Sequence, residues 1–458
     1  MRLGRYRLVE PIGRGGMGVV WSARLDDGAF VAIKVLTSAR ARDARFLSSF
    51  RREARAIARL DHPGIVGVHD LGEVGAEEGN AEVPPGSPYL VMDLVRGVSL
   101  HHHRGQLRWR ELREILLALL QALAHAHSRG VVHGDLKPSN VLREGRGVQL
   151  TDFGVARAAD PGGWAPEEVP LGGTPSYMAP ELLTSQWRDV GPWTDLYALG
   201  CLALALVQGT PPFVGLDREV VRDGHLYDAP PPLQSRVEVP VGFERWVRRL
   251  LRKDPGARFR HAADAAWQLQ RLPPVGEPDR RPAEGLELPS VDLPTELAVL
   301  TFPMGGHETR TDSLDEPGSP GWATDPAVEL PVFAAEDTDV GPRGGWEGND
   351  RPPFPARWQA GAPRAGEPLA GAGVGLLGLR EPRITGREVE QDTLWRALAE
   401  VAEDGRCQGL VLSVVAGFGA GRLARWLCER ADELGAATVL RAEHPEGGAV
   451  ADGLARMA

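Results

Sequence analysis

Gly13, Gly15 and Gly18 stand in the spacing G-x-G-x-x-G within GRGGMGVV, with Val20 two residues further on. Glycines so placed let backbone amides come close to phosphate oxygens. The pattern alone is weak, because dinucleotide-binding turns and plain glycine hairpins share it. Here both flanking segments read as strands, whereas a dinucleotide fingerprint passes from strand into helix. Sixteen residues beyond Gly18 lies Lys34, in VAIK, inside the apolar run FVAIKVL. An ammonium there is costly to bury without partners. A phosphate and a carboxylate would serve, and Glu53 offers a carboxylate from the inner face of the following helix, one turn from Phe50 and Ile57. Strict alternation points Ile33 and Val35 the other way, so the strand alone also admits Lys34 as a surface residue on a sheet edge.

A second cluster narrows these readings. HGDLKPSN (His133 to Asn140) is followed by DFG at Asp152 to Gly154 and by APE at Ala179 to Glu181. A random chain supplies a lone DFG easily, but not a glycine flap, VAIK, D-x-K-x-x-N, DFG and APE in one order. Over about Tyr6 to Leu272 the chain resembles the eukaryotic-type protein kinases, bacterial branch included, and D-L-K-P-x-N is similar to their serine/threonine subclass.

The resemblance implies transfer of the γ-phosphate of ATP to serine and threonine hydroxyls of protein substrates, with magnesium, in signalling. It implies that Asp135 orients the substrate hydroxyl or accepts its proton, and that Lys137 lies against the transferring phosphoryl group. Asn140 and Asp152 would hold two magnesium ions, while Lys34, positioned by Glu53, would grip the α- and β-phosphates. Gly13, Gly15, Gly18 and Val20 would cover the nucleotide. Met92 would be the gatekeeper of the adenine pocket, with Asp93 beside it. Thr174 would steady the catalytic loop, Asp195 would pin it from below, and Glu181 with Arg258 would form a buried structural ion pair. These residue types suit phosphoryl transfer, which needs hard oxygen ligands, fixed cations and one carboxylate at the nucleophile.

One position departs from the family pattern: Gly134 stands where H-R-D has arginine. The following loop, VARAADPGGWAPEEVPLGG (155–173), contains no serine, threonine or tyrosine. The receptor for a loop phosphate and the residue that would carry it are therefore both missing, although Thr174, Ser176 and Tyr177 lie just beyond. The loop is then expected to be held by packing of Trp164 and Val169 or by a partner protein, and control to fall on the linker, the tail or a bound regulator.

The elements that must position these groups follow from the hydrophobic pattern. Residues 6–36 read as three strands, and Phe46, Phe50, Ala54, Ile57 and Leu60 recur at helical spacing. LREILLALLQALAHAHSRG (112–130) reads as a long buried helix stopped by Gly130, and 193–209 as a second, apolar on nearly all sides. The fold class expected is α+β, a two-lobed kinase fold with a small β-rich lobe and a larger helical lobe over 6–272. Residues 72–88 read as a solvent-facing hairpin insertion. His101, His102 and His103, adjacent and without a carboxylate or cysteine at ligand spacing, do not read as a metal site.

Beyond the kinase-like region, 273–379 is rich in Pro, Gly, Asp and Glu and reads as a disordered linker. Its Thr301, Thr309, Thr311, Ser313 and Thr338 are candidates for self-phosphorylation. Residues 380–458 resemble the opening of an AAA-like ATPase, with G-R-E, an apolar strand and a degraded phosphate loop lacking the Lys-Ser pair. This segment reads as an incomplete, short α/β-like module unable to use nucleotide, and as a docking site for a regulator.

Composition bounds the rest. The 458 residues carry 52 basic and 62 acidic side chains, a net charge of −10, which argues against coating nucleic acid or an acidic membrane. Three cysteines, Cys201, Cys407 and Cys428, give neither a disulfide framework nor zinc spacing. With no stretch near the ~20 apolar residues of a membrane helix and no signal-peptide core at the N-terminus, a cytoplasmic protein is expected. The rival readings are a pseudokinase-type nucleotide-binding scaffold, opposed by the intact Lys34, Glu53, Asp135, Asn140 and Asp152, and a signalling ATPase, opposed by the broken phosphate loop.

Overall fold

The computed structural model describes residues 1–15, 18–37, 44–153, 175–184, 189–215, 217–273, 275, 352–359, 376, 384–404 and 420–439. The first lobe is built from β1 (Arg2–Leu3), β2 (Tyr6–Gly15), β3 (Gly18–Arg24), β4 (Phe30–Leu36), α1 (Ala44–Ala58), β5 (Val68–Glu73) and β6 (Pro88–Asp93). Its sheet has the order β1-β2-β3-β4-β6-β5, with every neighbouring pair antiparallel. β4 is therefore an interior strand, paired to β3 and β6.

Alternation along β4 divides the lobe into two cores. Val31, Ile33 and Val35 join Leu3, Tyr6 and Val91 on the outer face. Ala32 and Leu36 face the other way, toward Phe50, Ala54 and Ile57 of α1. Lys34 shares the parity of Ala32 and Leu36, which resolves the ambiguity left by the sequence: its side chain is 12% exposed and belongs to the face toward α1. The 72–88 segment is more than solvent-facing decoration. Val74 and Val83 are buried in the outer core, and the Gly4 amide donates to Glu78 Oε1 at 2.9 Å.

The second lobe carries β7 (Val98–Ser99), α2 (Trp109–Ser128), β8 (Val141–Glu144), β9 (Gly147–Leu150), α3 (Pro180–Leu183), α4 (Pro192–Gln208), α5 (Arg218–Tyr227), α6 (Phe243–Leu250) and α7 (Ala262–Gln270). Every residue of α4 from Thr194 to Val207 is buried, so its sequence shows no polar face. It packs tightly: a methyl on Gly200 would lie 2.9 Å from Leu251 Cδ2, just past the end of α6. The helix stops at Gly209, which takes a left-handed φ of 90° that glycine adopts without steric cost. A small sheet-rich lobe beside a larger helical lobe is thus the architecture, as the pattern of elements predicts.

Further along the chain are α8 (Glu388–Asp404) and α9 (Ala420–Glu433). Pro355 O accepts from Trp395 Nε1 at 2.9 Å, and the Trp358 and Trp426 rings meet edge-on at 5.2 Å, so residues 352–359 pack on both helices. Leu376, within the stretch read as linker, is buried in the main core. The apolar strand expected near 410–416 and the linker hydroxyls Thr301, Thr309, Thr311, Ser313 and Thr338 lie outside the described residues.

Candidate active site

The glycine flap is the turn between β2 and β3. Gly15 pairs with Gly18 and Gly13 with Val20, while Val20 stands opposite Lys34 on β4. Gly18 admits no side chain, since a Cβ there would fall 1.9 Å from Val35 O. The flap, Val20 and Lys34 therefore occupy adjacent positions of one ladder.

Lys34 Nζ lies 2.5 Å from Asp152 Oδ1, across 118 residues of sequence. The cation suited to phosphate and the carboxylate suited to a metal thus face one point. Asp152 is the one non-glycine residue with positive φ among the described residues, at 55°, a backbone state that costs energy and concentrates at functional sites. The hinge side is formed by Met92, buried on β6. Asp93 follows, with Oδ2 accepting from the Gly67 amide at 2.8 Å and Oδ1 lying 2.6 Å from His69 Nε2. Its side chain therefore ties the end of β6 to the chain entering β5, and its amide also donates to Gly67 O at 2.9 Å.

The loop between α2 and β8 brings Asp135, Lys137 and Asn140 together. Lys137 Nζ lies 2.7 Å from Asp135 Oδ2. Asn140 Nδ2 donates to Asp135 O at 2.8 Å and to Asp135 Oδ2 at 3.1 Å. With its amide nitrogen so engaged and its oxygen accepting only a long 3.5 Å contact from Ser139 Oγ, Asn140 can offer that oxygen as a hard ligand, and Asp152 offers carboxylate oxygens, so this pair fits magnesium carried by a nucleotide. The Thr151 amide donates to Asn140 O at 3.0 Å, tying the loop to the residue before Asp152.

Asp195, on α4, holds this loop from beneath. It accepts from the His133 amide at Oδ2 and the Gly134 amide at Oδ1, both at 2.8 Å, and lies 2.7 Å from His127 Nε2. Burial opposes its charge, but the His127 hydrogen bond, the nearby His133 and the Gly134 amide together hold its carboxyl below the ordinary range. His133 is fully buried, and burial lowers its pKa. Its Nδ1 accepts from the Asp135 amide at 3.3 Å, which leaves Nε2 to donate to Thr151 O at 3.1 Å.

The sequence model of the protein kinase domain matches residues 6–267. This chain belongs to the protein kinase family. Serine/threonine-protein kinase PknB of Mycolicibacterium smegmatis is 38% identical over 283 residues, covering 60% of this chain and 44% of that protein. Serine/threonine-protein kinase PknA of Mycobacterium tuberculosis is 38% identical over 298 residues, covering 63% of this chain and 66% of that protein. The chain thus spans less than two thirds of the length of these relatives. Protein kinases of this kind use ATP and magnesium, which the donor set above accommodates.

The kinase lobe also contains the expected structural ion pair. Arg258 Nη1 and Nη2 reach Glu181 Oε1 and Oε2 at 2.7 and 2.9 Å, and Thr194 Oγ1 donates to the same carboxylate at 2.8 Å. Of the expected site residues, Gly13, Gly18, Val20, Lys34, Met92, Asp93, Asp135, Lys137, Asn140 and Asp152 are placed as described. Gly15 is placed by its backbone. The Glu53 side chain and all of Thr174 lie outside the described residues. Spacing along the sequence does not disclose His127 or His69. The signal for His127 is its position in the last turn of α2, six residues before His133, which brings it back over α4.

Gly134 adopts φ 72°. The arginine that the family pattern puts here would have to hold a left-handed backbone, whereas glycine takes it freely.

Proposed function

We propose that the chain is a serine/threonine protein kinase that transfers the ATP γ-phosphate to Ser and Thr hydroxyls of protein substrates. The observation that carries this reading is the joining of Asp135, Lys137 and Asn140 by hydrogen bonds of 2.7–3.1 Å beside the Lys34–Asp152 contact. The substrate hydroxyl oxygen attacks the γ-phosphorus, the bond to the ADP oxygen breaks, and the hydroxyl proton passes to Asp135 Oδ1 or Oδ2. Lys137, already on that carboxylate, faces the same phosphoryl group and offsets its charge. Lys34, assisted by Glu53, holds the α- and β-phosphates, with Gly13, Gly15, Gly18 and Val20 above them and Met92 and Asp93 at the base. Asn140 and Asp152 would hold magnesium, which would supply neutralisation of phosphate charge. Thr174 steadies the loop beside the peptide.

Among the described residues no helix is long and apolar enough to cross a membrane, which suits a cytoplasmic enzyme. Some of Thr301, Thr309, Thr311, Ser313 and Thr338 should be autophosphorylated, in cis or in trans, because tethering raises effective concentration. For 380–458, the reading as a remnant ATPase rests on its sequence alone. The test is incubation of the purified chain with labelled ATP, magnesium and generic protein substrates, followed by analysis of the labelled amino acids. Phosphoserine and phosphothreonine are expected; nucleotide binding without transfer would favour a scaffold instead.

A further inference from the structure

We propose that α9 is an intrachain clamp that docks on the end of α2 and, through it, sets the rigidity of the catalytic loop. Glu433, the last residue of α9, projects its carboxylate onto the back of the helical lobe with only 10% of its side chain exposed. There Oε1 lies 3.4 Å from His125 Nδ1, and Oε2 lies 3.7 Å from Arg129 Nη1 and 3.1 Å from Arg430 Nη1. A turn earlier, Glu429 stands 3.7 Å from Arg129 Nη2. Burial opposes the Glu433 charge, yet the His125 hydrogen bond and the two arginines pull its carboxyl down to about 2. The contact extends to the start of α7, where Asp432 lies 3.6 Å from His261 Nε2. Gly435, at φ 66°, approaches so closely that a Cβ would sit 3.1 Å from Asp264 Oδ1 and 3.2 Å from Ala263 Cβ.

The partner of this surface is therefore the chain's own helix, matched in charge and shape. What makes the contact more than packing is its address. His125 and His127 belong to the same turn of α2. His125 meets Glu433, while His127 meets Asp195 at 2.7 Å, and Asp195 accepts the amides of His133 and Gly134. Only four residues separate Ser128, the last of α2, from His133, and Val131 donates back to Ala126 O at 3.0 Å. Seating α9 thus stiffens the stem on which Asp135 stands. Arg129 and Glu433 act as positioning residues, several contacts away from the reacting atoms.

The test uses the full chain with Glu433→Ala, Glu433→Gln and Arg129→Ala. Hydrogen exchange is read over 420–433 and 130–136, together with kcat and KM for ATP on a peptide substrate. Removing one partner of a buried charge cluster should speed α9 exchange in Glu433→Ala on the order of 100-fold. Exchange over 130–136 should rise with it, and kcat should fall roughly three- to tenfold with KM for ATP unchanged. Glu433→Gln, which keeps an acceptor for His125, should fall between parent and alanine. Faster exchange confined to α9, or α9 exchanging at the free-chain rate in the parent, would overturn the proposal. The rate arm alone rests on the kinase reading. A parent chain that transfers no phosphate would sink that reading, while exchange over 130–136 would still decide the clamp.

Discussion

Glu181–Arg258 and Lys34–Asp152 are both carboxylate–cation contacts between distant parts of the chain, yet they are built oppositely. Arg258 spends all three guanidinium nitrogens, giving Nη1 also to Trp193 O, Nε to Arg252 O and Nη2 to Lys253 O. With both side chains at most 2% exposed, nothing remains for a ligand. Lys34 and Asp152 share one contact, and the Asp152 side chain is 35% exposed. Among the described residues its second oxygen and the remaining lysine protons make no further hydrogen bond, which leaves capacity for phosphate or metal. A saturated pair fixes structure and an unsaturated pair awaits a ligand, so hydrogen-bond capacity separates the two roles where residue type does not.

That contrast can be broken by substitution. Lys34→Met should reduce phosphoryl transfer by about 10³-fold or more while leaving the melting temperature near that of the parent. Unchanged activity would show that Lys34 is not a phosphate ligand. Arg258→Met should act the other way, costing about 3–5 kcal/mol of stability because Glu181 is left buried and unpaired. Chemical denaturation would measure this, and a loss under 1 kcal/mol would place the pair among exposed surface bridges.

Smaller effects sharpen the middle ground, where structure supports chemistry. His127→Ala removes a buried partner of the Asp195 carboxylate and should cost about 1–3 kcal/mol, with faster amide exchange at His133 and Gly134. Unaltered exchange there would detach α2 from the catalytic loop. Gly134→Ala should lose about 1 kcal/mol, the cost of a left-handed alanine. A stabilising effect would show that the loop relaxes out of φ 72°. Smallest of all is the expected effect of phosphatase. With no hydroxyl in 155–173 and no arginine at 134, treated and untreated enzyme should phosphorylate a peptide at equal initial rates. A large loss, restored by phosphorylation of Thr174, Ser176 or Tyr177, would locate the switch there.

Much of this site is legible in the sequence because its groups are local. Asp135, Lys137 and Asn140 fall within six residues, and the chemistry requires them together. Lys34 is less legible, since alternation in FVAIKVL assigns two faces without saying which is inside. The placement of β4 between β3 and β6 rules out a sheet edge, and the packing of α1 on the face of Ala32 and Leu36 decides the side. The burial of Val74 and Val83 in a polar insertion escapes a pattern reading, because two isolated valines make no period. The Glu433–His125 contact spans 308 residues, and no local spacing encodes a meeting of that range. His127 is intermediate: its helix is evident, but its partner is known only once α4 is in place.

Asp135 is the group proposed to receive the substrate proton. Asp135→Asn should be compared with the parent for single-turnover transfer and, in parallel, for ATP binding by calorimetry. Transfer should fall by about 10²–10⁴-fold, with ATP affinity within about twofold of the parent because Lys34 and the glycine flap, not Asp135, hold the nucleotide. Transfer at the parent rate, or an equal loss of binding and transfer, would contradict it.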